Sequence, residues 1–287
     1  VDAAAKTAAQ AAGMQDAFRL SAILGVCMGL YCFFLPKTPP ARNTQAFAVA
    51  ETLQEIRRNP LLMLFLIAVP VSMIHQFYFV YTSQFLGAYQ NQAGATAEAI
   101  NSVFGVGGGG LMTIGQKTEI LVLFLIPFVA TRWSRKSLLM IGLFAYALRM
   151  FLFAEVEWLH QVIGIPQLVT LISGVSLHGL CFGCFIFVAF MIVDEETSND
   201  IKATAQNFLN LVIVGIGIVA GSLVAGYIGE WATHPVMEGG AAVIGEDGNP
   251  VMTKDWPKLF SVPMWMAIIC LVILMIAYPS GRKTLPA

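Results

Sequence analysis

QKTEILVLFLIPFVATRWSRKSLLMIGLFAYALRMFLFA, residues 116–154, reads as two apolar runs joined by a basic loop. The first run ends at Ala130, Arg132, Arg135 and Lys136 follow, and a second run covers Ser137 to Ala154. Runs of this length match the roughly 20 residues that a helix needs to cross a hydrocarbon core. Alternating strands of the kind that build membrane barrels are absent. The segment is therefore a hairpin of two membrane helices, and such runs recur along the chain.

Composition says the same. The 287 residues are 57% hydrophobic and 11% charged, against about 25% charged in soluble domains, and mean hydropathy is +0.73. This is an all-α membrane protein. With a net charge of −1 it has no basic surface for nucleic acid. The pattern predicts seven membrane helices: Ala17–Leu35, Leu61–Leu86, Leu111–Ala130, Ser137–Ala154, Pro166–Val193, Ala203–Ile228 and Leu259–Tyr278. Lys37, Arg42, Arg57, Arg58, Arg132, Arg135, Lys136, Lys202, Arg282 and Lys283 fall on one side of these spans; Lys254 and Lys258 fall on the other, with Lys6 and Arg19 near the start. Lysine and arginine concentrate in cytoplasmic loops, so the C-terminus is expected inside a cytoplasmic membrane and the N-terminal segment outside it.

The organisation expected is an outer segment and one helix over 1–35, a polar cytoplasmic linker over 36–60, a six-helix half over 61–278 and a tail over 279–287. One helix before a long linker and six after it is the shape of a six-plus-six transporter with five helices missing. Val1 in place of Met, with no signal peptide visible, adds to the expectation of a fragment. The stretch GVGGGG, 105–110, lacks the lysine ending of a phosphate loop and is expected to be a flexible lead-in to the third helix; the loop from Gly229 to Pro257 is expected to be mobile. Gly217, Gly221 and Ala225 recur every four residues, a spacing that permits close helix packing.

Ionisable groups at membrane depth are rare and face a cavity or a partner. Here they are Lys117, Glu119 and Arg149, with Gln76, Gln116, His75 and His178 as polar company. Gln116 and Glu119, three apart, share a helix face and offer an amide and a carboxylate suited to a polyhydroxylated or heterocyclic ligand. Glu119, desolvated at that depth, is a candidate for proton coupling; the structural alternative is an ion pair with Lys117 or Arg149. Lys117 lies about 100° round the helix from Gln116 and is expected to snorkel to the headgroups. Arg149 is expected to find a buried interhelical partner. His75, Gln76, Tyr78, Tyr81 and Thr82 make the second helix polar and aromatic, either to stack a ligand or as an interfacial belt. His178 and Phe182, four apart, can present a polar and an aromatic group to one space, or His178 can be a packing residue.

Cys27, Cys32, Cys181, Cys184 and Cys270 all lie in apolar runs and read as small hydrophobes; Cys181 and Cys184 form a C-x-x-C without a second pair to complete a metal site. No metal or cofactor is expected. Neither H-E-x-x-H nor G-x-S-x-G occurs, so an enzyme is not expected.

The 116–154 stretch closely resembles the eighth and ninth helices of the nucleoside:proton symporters of the major facilitator superfamily. LPKTPP, 35–40, resembles the end of that family's sixth helix, and HGLCFGCF with VDEETSNDIKATAQ, 178–185 and 193–206, its tenth helix and the loop after it. KDW, 254–256, also matches, so the resemblance covers the family's C-terminal half plus its sixth helix. It implies a major facilitator fold, a nucleoside site between two halves, alternating access and uptake driven by the proton gradient, with the protein acting as a monomer once the missing helices are present. The family's binding residues fall on Gln76, Gln116, Glu119, His178 and Phe182. Phe79, His178 and Gly183 depart from the family pattern, and Lys117 is an unusual choice. A major facilitator carrier of sugars or other polyhydroxylated solutes, or a non-transporting membrane sensor, is the alternative.

Overall fold

The computed structural model describes residues 3–37, 48–90, 95–105, 107–245 and 248–279. The chain divides into two compact units, Val1–Ala46 and Phe47–Ala287. Among the described residues the first unit holds one helix, α1 (Ala3–Cys32), which begins well before the expected Ala17 because an alanine-rich segment with high helix propensity precedes it. Asp16 and Arg19, 3.1 Å apart, interrupt its apolar run. The unit boundary falls inside the linker expected over 36–60, where α2 (Ala48–Ile56) forms. Residues 38–47 of that linker, with Arg42, and the tail from 280 on, with Arg282 and Lys283, lie outside the described residues.

The second unit continues with α3 (Leu61–Gln90), a short α4 (Ala95–Phe104), α5 (Gly109–Ala130), α6 (Arg135–Ala154), α7 (Gln167–Glu196), α8 (Lys202–Trp231) and α9 (Trp256–Ala277). All of these but α4 are long and apolar enough to span a membrane. Seven spans were expected; among the described residues six meet that standard, and α1 is the one left out. The chain is a multi-pass membrane protein.

Local chemistry sets the helix ends. Ser134 caps α6 by accepting from the Ser137 amide at 3.1 Å, and Asp255 of the KDW motif caps α9 by accepting from Lys258 N at 2.9 Å. Both satisfy amides that a helix start leaves without a partner. Lys136 Nζ donates to the carbonyls of Met275 and Tyr278 at 2.8 and 2.7 Å, closing the other end of α9. Arg135 grips both carboxylate oxygens of Glu195, tying the start of α6 to the end of α7.

The core lies where α6 packs along α9 and where α3 meets α8 and α9. Phe85, Phe153, Trp256 and Phe260 interlock there, with centroids 4.9 to 5.3 Å apart about Phe85. The small residues of α8 behave as their spacing predicts. A side chain at Gly221 would meet Gln76 and Met73 of α3 at 2.9 Å, and Tyr81 donates to the Ala225 carbonyl at 2.6 Å. Without a hydrophobic force between helices in lipid, such close approach supplies the packing attraction.

Two connections carry local structure that the sequence did not announce. The glycine run is a clamped turn. Gly105, Gly107 and Gly108 take positive φ of 74°, 85° and 80°, a region open to glycine at no steric cost. Gln90 at the end of α3 donates to the Gly105 carbonyl at 2.8 Å and accepts from the Gly108 amide at 2.5 Å. A side chain at Gly108 would run into the Ser83 carbonyl. In the loop from Gly229 to Pro257, the described residues form two antiparallel pairs: β1 (Thr233–Pro235) with β4 (Met252–Lys254), and β2 (Met237–Glu238) with β3 (Ala241–Ala242). Lys258 donates to the Trp231 carbonyl at 2.9 Å.

Candidate functional site

α5 and α7 cross at two glycines. A side chain at Gly115 would come within 3.1 Å of His178 Cβ, and one at Gly179 within 2.8 Å of the Glu119 amide. With both positions empty of side chain, the two backbones touch and the Glu119 carboxylate lands beside the His178 ring. Glu119 Oε2 lies 3.3 Å from His178 Nε2, at the long edge of hydrogen-bond distance. The opposite ring nitrogen, Nδ1, lies 3.0 Å from Arg149 Nη1 on α6. A guanidinium only donates, so Nδ1 accepts and the proton of the neutral imidazole sits on Nε2, facing Glu119.

Aromatic rings enclose this row. The Tyr78 and His75 rings of α3 stack on His178 at 4.8 and 5.3 Å. The Arg149 guanidinium lies 4.2 Å from the Tyr78 centroid and 5.1 Å from that of Tyr146, favourable positions for a cation over a π face. Tyr146 and His75 share a 2.7 Å hydrogen bond. Phe79 stands edge-on to His178 at 6.1 Å and is exposed; Phe182, half-buried, tilts toward His75 at 6.4 Å. Four helices thus contribute: α3, α5, α6 and α7.

The residues singled out in the sequence separate into three groups. Glu119, Arg149, His178 and Phe182 come together. Gln116 is exposed, one turn of α5 before Glu119, and has no hydrogen bond among the described residues. Gln76 stands on another face of α3 and donates to Ser222 of α8 at 3.0 Å. The ion pair weighed for Glu119 is absent among the described residues: His178 stands between it and Arg149, and Lys117 is exposed without an acidic partner. His178 is buried, with Nδ1 beside Arg149 and Nε2 facing the Glu119 carboxylate.

Gly183 faces α5, where a side chain would strike Val122 Cγ1 at 2.6 Å. An acid at that position would enter a helix contact. Sequence reasoning missed Tyr146. The spacing of Tyr146 three residues before Arg149 was the available signal, since such pairs share a helix face.

The family model described as Nucleoside H+ symporter matches residues 5–282. The chain belongs to that family. Among curated relatives it is similar to the "Putative nucleoside transporter YegT" of Escherichia coli K12, 24% identical over 268 residues, 91% of this chain and 56% of the relative. It is 31% identical over 127 residues to the "Nucleoside permease NupG" of the same strain, covering 43% of this chain and 28% of the permease. Similarity to the strain's "Xanthosine permease" is 22% over 254 residues, 86% of this chain and 54% of the permease. The chain spans about half the length of the YegT and xanthosine permease relatives. Among solved structures, a crystal structure of a point mutant of the nucleoside transporter NupG superimposes with a TM-score of 0.64 at 21% identity, over 89% of this chain and 59% of that one. That likeness shows the major facilitator fold. These nucleoside symporter relatives are transporters and permeases, not enzymes.

Proposed function

We propose that the protein carries nucleosides across the inner membrane, driven by the proton gradient and by alternating access, with its C-terminus in the cytoplasm. The observation that carries this reading is Glu119. Among the described residues it is the one carboxylate far from the end of a span, its side chain is 24% exposed, and it sits between His178 and the open face of Gln116. A carboxylate at that depth is held there for a purpose. The free carboxylate oxygen accepts from ribose hydroxyls, Gln116 bonds the ribose or the base, and Phe182 with Phe79 offers aromatic surface to the base. Gln76 joins only by exchanging Ser222 for the ligand. Glu119 also takes and releases the coupling proton.

The test is transport of labelled uridine by the full-length protein in liposomes, with Glu119→Gln beside the wild type. Glu119→Gln is expected to abolish accumulation driven by an inward proton gradient and to weaken uridine binding about tenfold, the scale of a lost charge-assisted hydrogen bond. Unchanged binding and accumulation together would remove Glu119 from the site. Competition by small sugars stronger than by adenosine would favour a polyol carrier.

A further inference from the structure

Arg149 is fully buried, and no carboxylate pairs with it among the described residues. Its Nε and Nη2 have no hydrogen-bond partner among the described residues. Cation–π contact with Tyr78 and Tyr146 offsets part of the desolvation, yet an apolar side chain of similar volume would pack the same space without that penalty. Packing alone leaves the guanidinium unexplained. Its one polar contact among the described residues is the 3.0 Å approach to His178 Nδ1.

We propose that Arg149 is a positioning residue for Glu119 and acts through His178, fixing the imidazole proton on Nε2 where it serves the carboxylate. The partners enforce this. Arg149 has no lone pair to offer, so the other tautomer would set N–H against N–H. The ring cannot readily turn, because Tyr78 and His75 stack on it at 4.8 and 5.3 Å. His178 can then offer only a donor at Nε2, which lies 3.3 Å from Glu119 Oε2 without a closed hydrogen bond. Contacts of this kind are commonly long before a substrate closes the site, and tighten afterwards.

Two consequences follow. One carboxylate oxygen is held toward His178 and the other is left to the open face beside Gln116. A proton on Glu119 cannot pass to His178, since Nε2 already carries one and Nδ1 is committed to Arg149. Proton and substrate then meet on the same face of Glu119, and no exchange path runs through the helix core. The substrate half of this inference rests on the nucleoside reading above.

The experiment is a double-mutant cycle on the full-length protein, reading equilibrium binding of labelled uridine and thermal melting together. His178→Phe and Arg149→Leu are each expected to weaken uridine about tenfold. The double variant is expected to be no weaker than about tenfold, because groups acting through one chain couple and do not add. His178→Gln, whose amide offers an acceptor and a donor, is expected to return binding to within about threefold of wild type. A double variant weakened by the product, about a hundredfold, or a His178→Gln as weak as His178→Phe, would overturn the inference. If Arg149→Leu does not fold, Arg149→Lys takes its place in the cycle.

A readout free of substrate keeps the inference distinguishable from the nucleoside reading. In nitrogen-15 spectra of histidine-labelled protein, the signal lost in His178→Gln is expected to be a neutral ring protonated at Nε2, and Arg149→Leu to mix its tautomers. A ring protonated at Nδ1 sinks the proposal whether or not uridine binds. Unchanged uridine binding in Glu119→Gln would take Glu119, and with it the substrate half of this inference, out of the nucleoside site, and would leave the tautomer result standing.

Discussion

Neighbouring polar residues on one helix can have opposite fates. Gln116, Lys117 and Glu119 lie within one turn of α5, but their faces differ, and so do their surroundings. Lys117 is exposed and has no ion pair among the described residues, so removing its charge deletes no contact. Lys117→Ala is expected to change thermal stability by no more than about 0.5 kcal/mol, as at surface positions without special features. Gln116 is also exposed but shares the face of Glu119. Gln116→Ala is expected to leave the melting temperature near wild type and to weaken uridine about three- to tenfold, the range of one hydrogen bond. Melting curves beside binding isotherms of the two variants check the contrast, and a weakening by Lys117→Ala equal to that of Gln116→Ala would erase it. Spacing showed that Gln116 and Glu119 share a face. Spacing could not show what Glu119 faces, because His178 is on another helix and Arg149 on a third. The contact depends on how closely those helices approach, which no local pattern encodes.

Between helices, that approach is set by side chains that are missing. Gly179 and Gly115 let α5 and α7 meet backbone to backbone, and a side chain at Gly179 would strike the Thr118 carbonyl. Gly179→Val is therefore expected to push the helices apart, lowering stability by about 1–3 kcal/mol as overpacked sites do, and to weaken uridine binding by breaking the contact of Glu119 with His178. A fall in binding that exceeds any loss in stability would locate the damage at the crossing; unchanged binding would show that the crossing does not set the site. Most helix limits of the second unit were legible within a few residues, since apolar length and capping residues such as Ser134 and Asp255 are local signals. The hydrogen bonds that bracket the glycine turn were not legible, because their partner is not local. GVGGGG carries no sign of Gln90, whose side chain reaches across from α3 to hold both of its edges. The strand pairs after α8 escaped because their ladders are only two or three residues long, too short for an alternating pattern to register.

Across the membrane, the distribution of charge gives an expected direction that packing alone does not. Following the six spans of the second unit in order puts Arg57, Arg58, Arg132, Arg135, Lys136 and Lys202 at one end, and Lys254 and Lys258 at the other. Several of these cations are bound in the folded protein, Arg135 to Glu195 and Lys258 to the Trp231 carbonyl. That does not cancel the bias, because lysine and arginine act during insertion and nearby acids contribute little. The end with Arg132 is expected in the cytoplasm and the β1–β4 pair outside. Cysteines placed at Arg132 and Met252 report this directly, in a background with Cys27→Ser and Cys32→Ser; Cys181, Cys184 and Cys270 are buried. A membrane-impermeant maleimide added to intact cells is expected to label Met252→Cys and to spare Arg132→Cys, and inside-out vesicles to reverse the order. The opposite pattern would invert the protein, and with it the side from which proton and substrate would reach Glu119 together in a gradient-driven uptake.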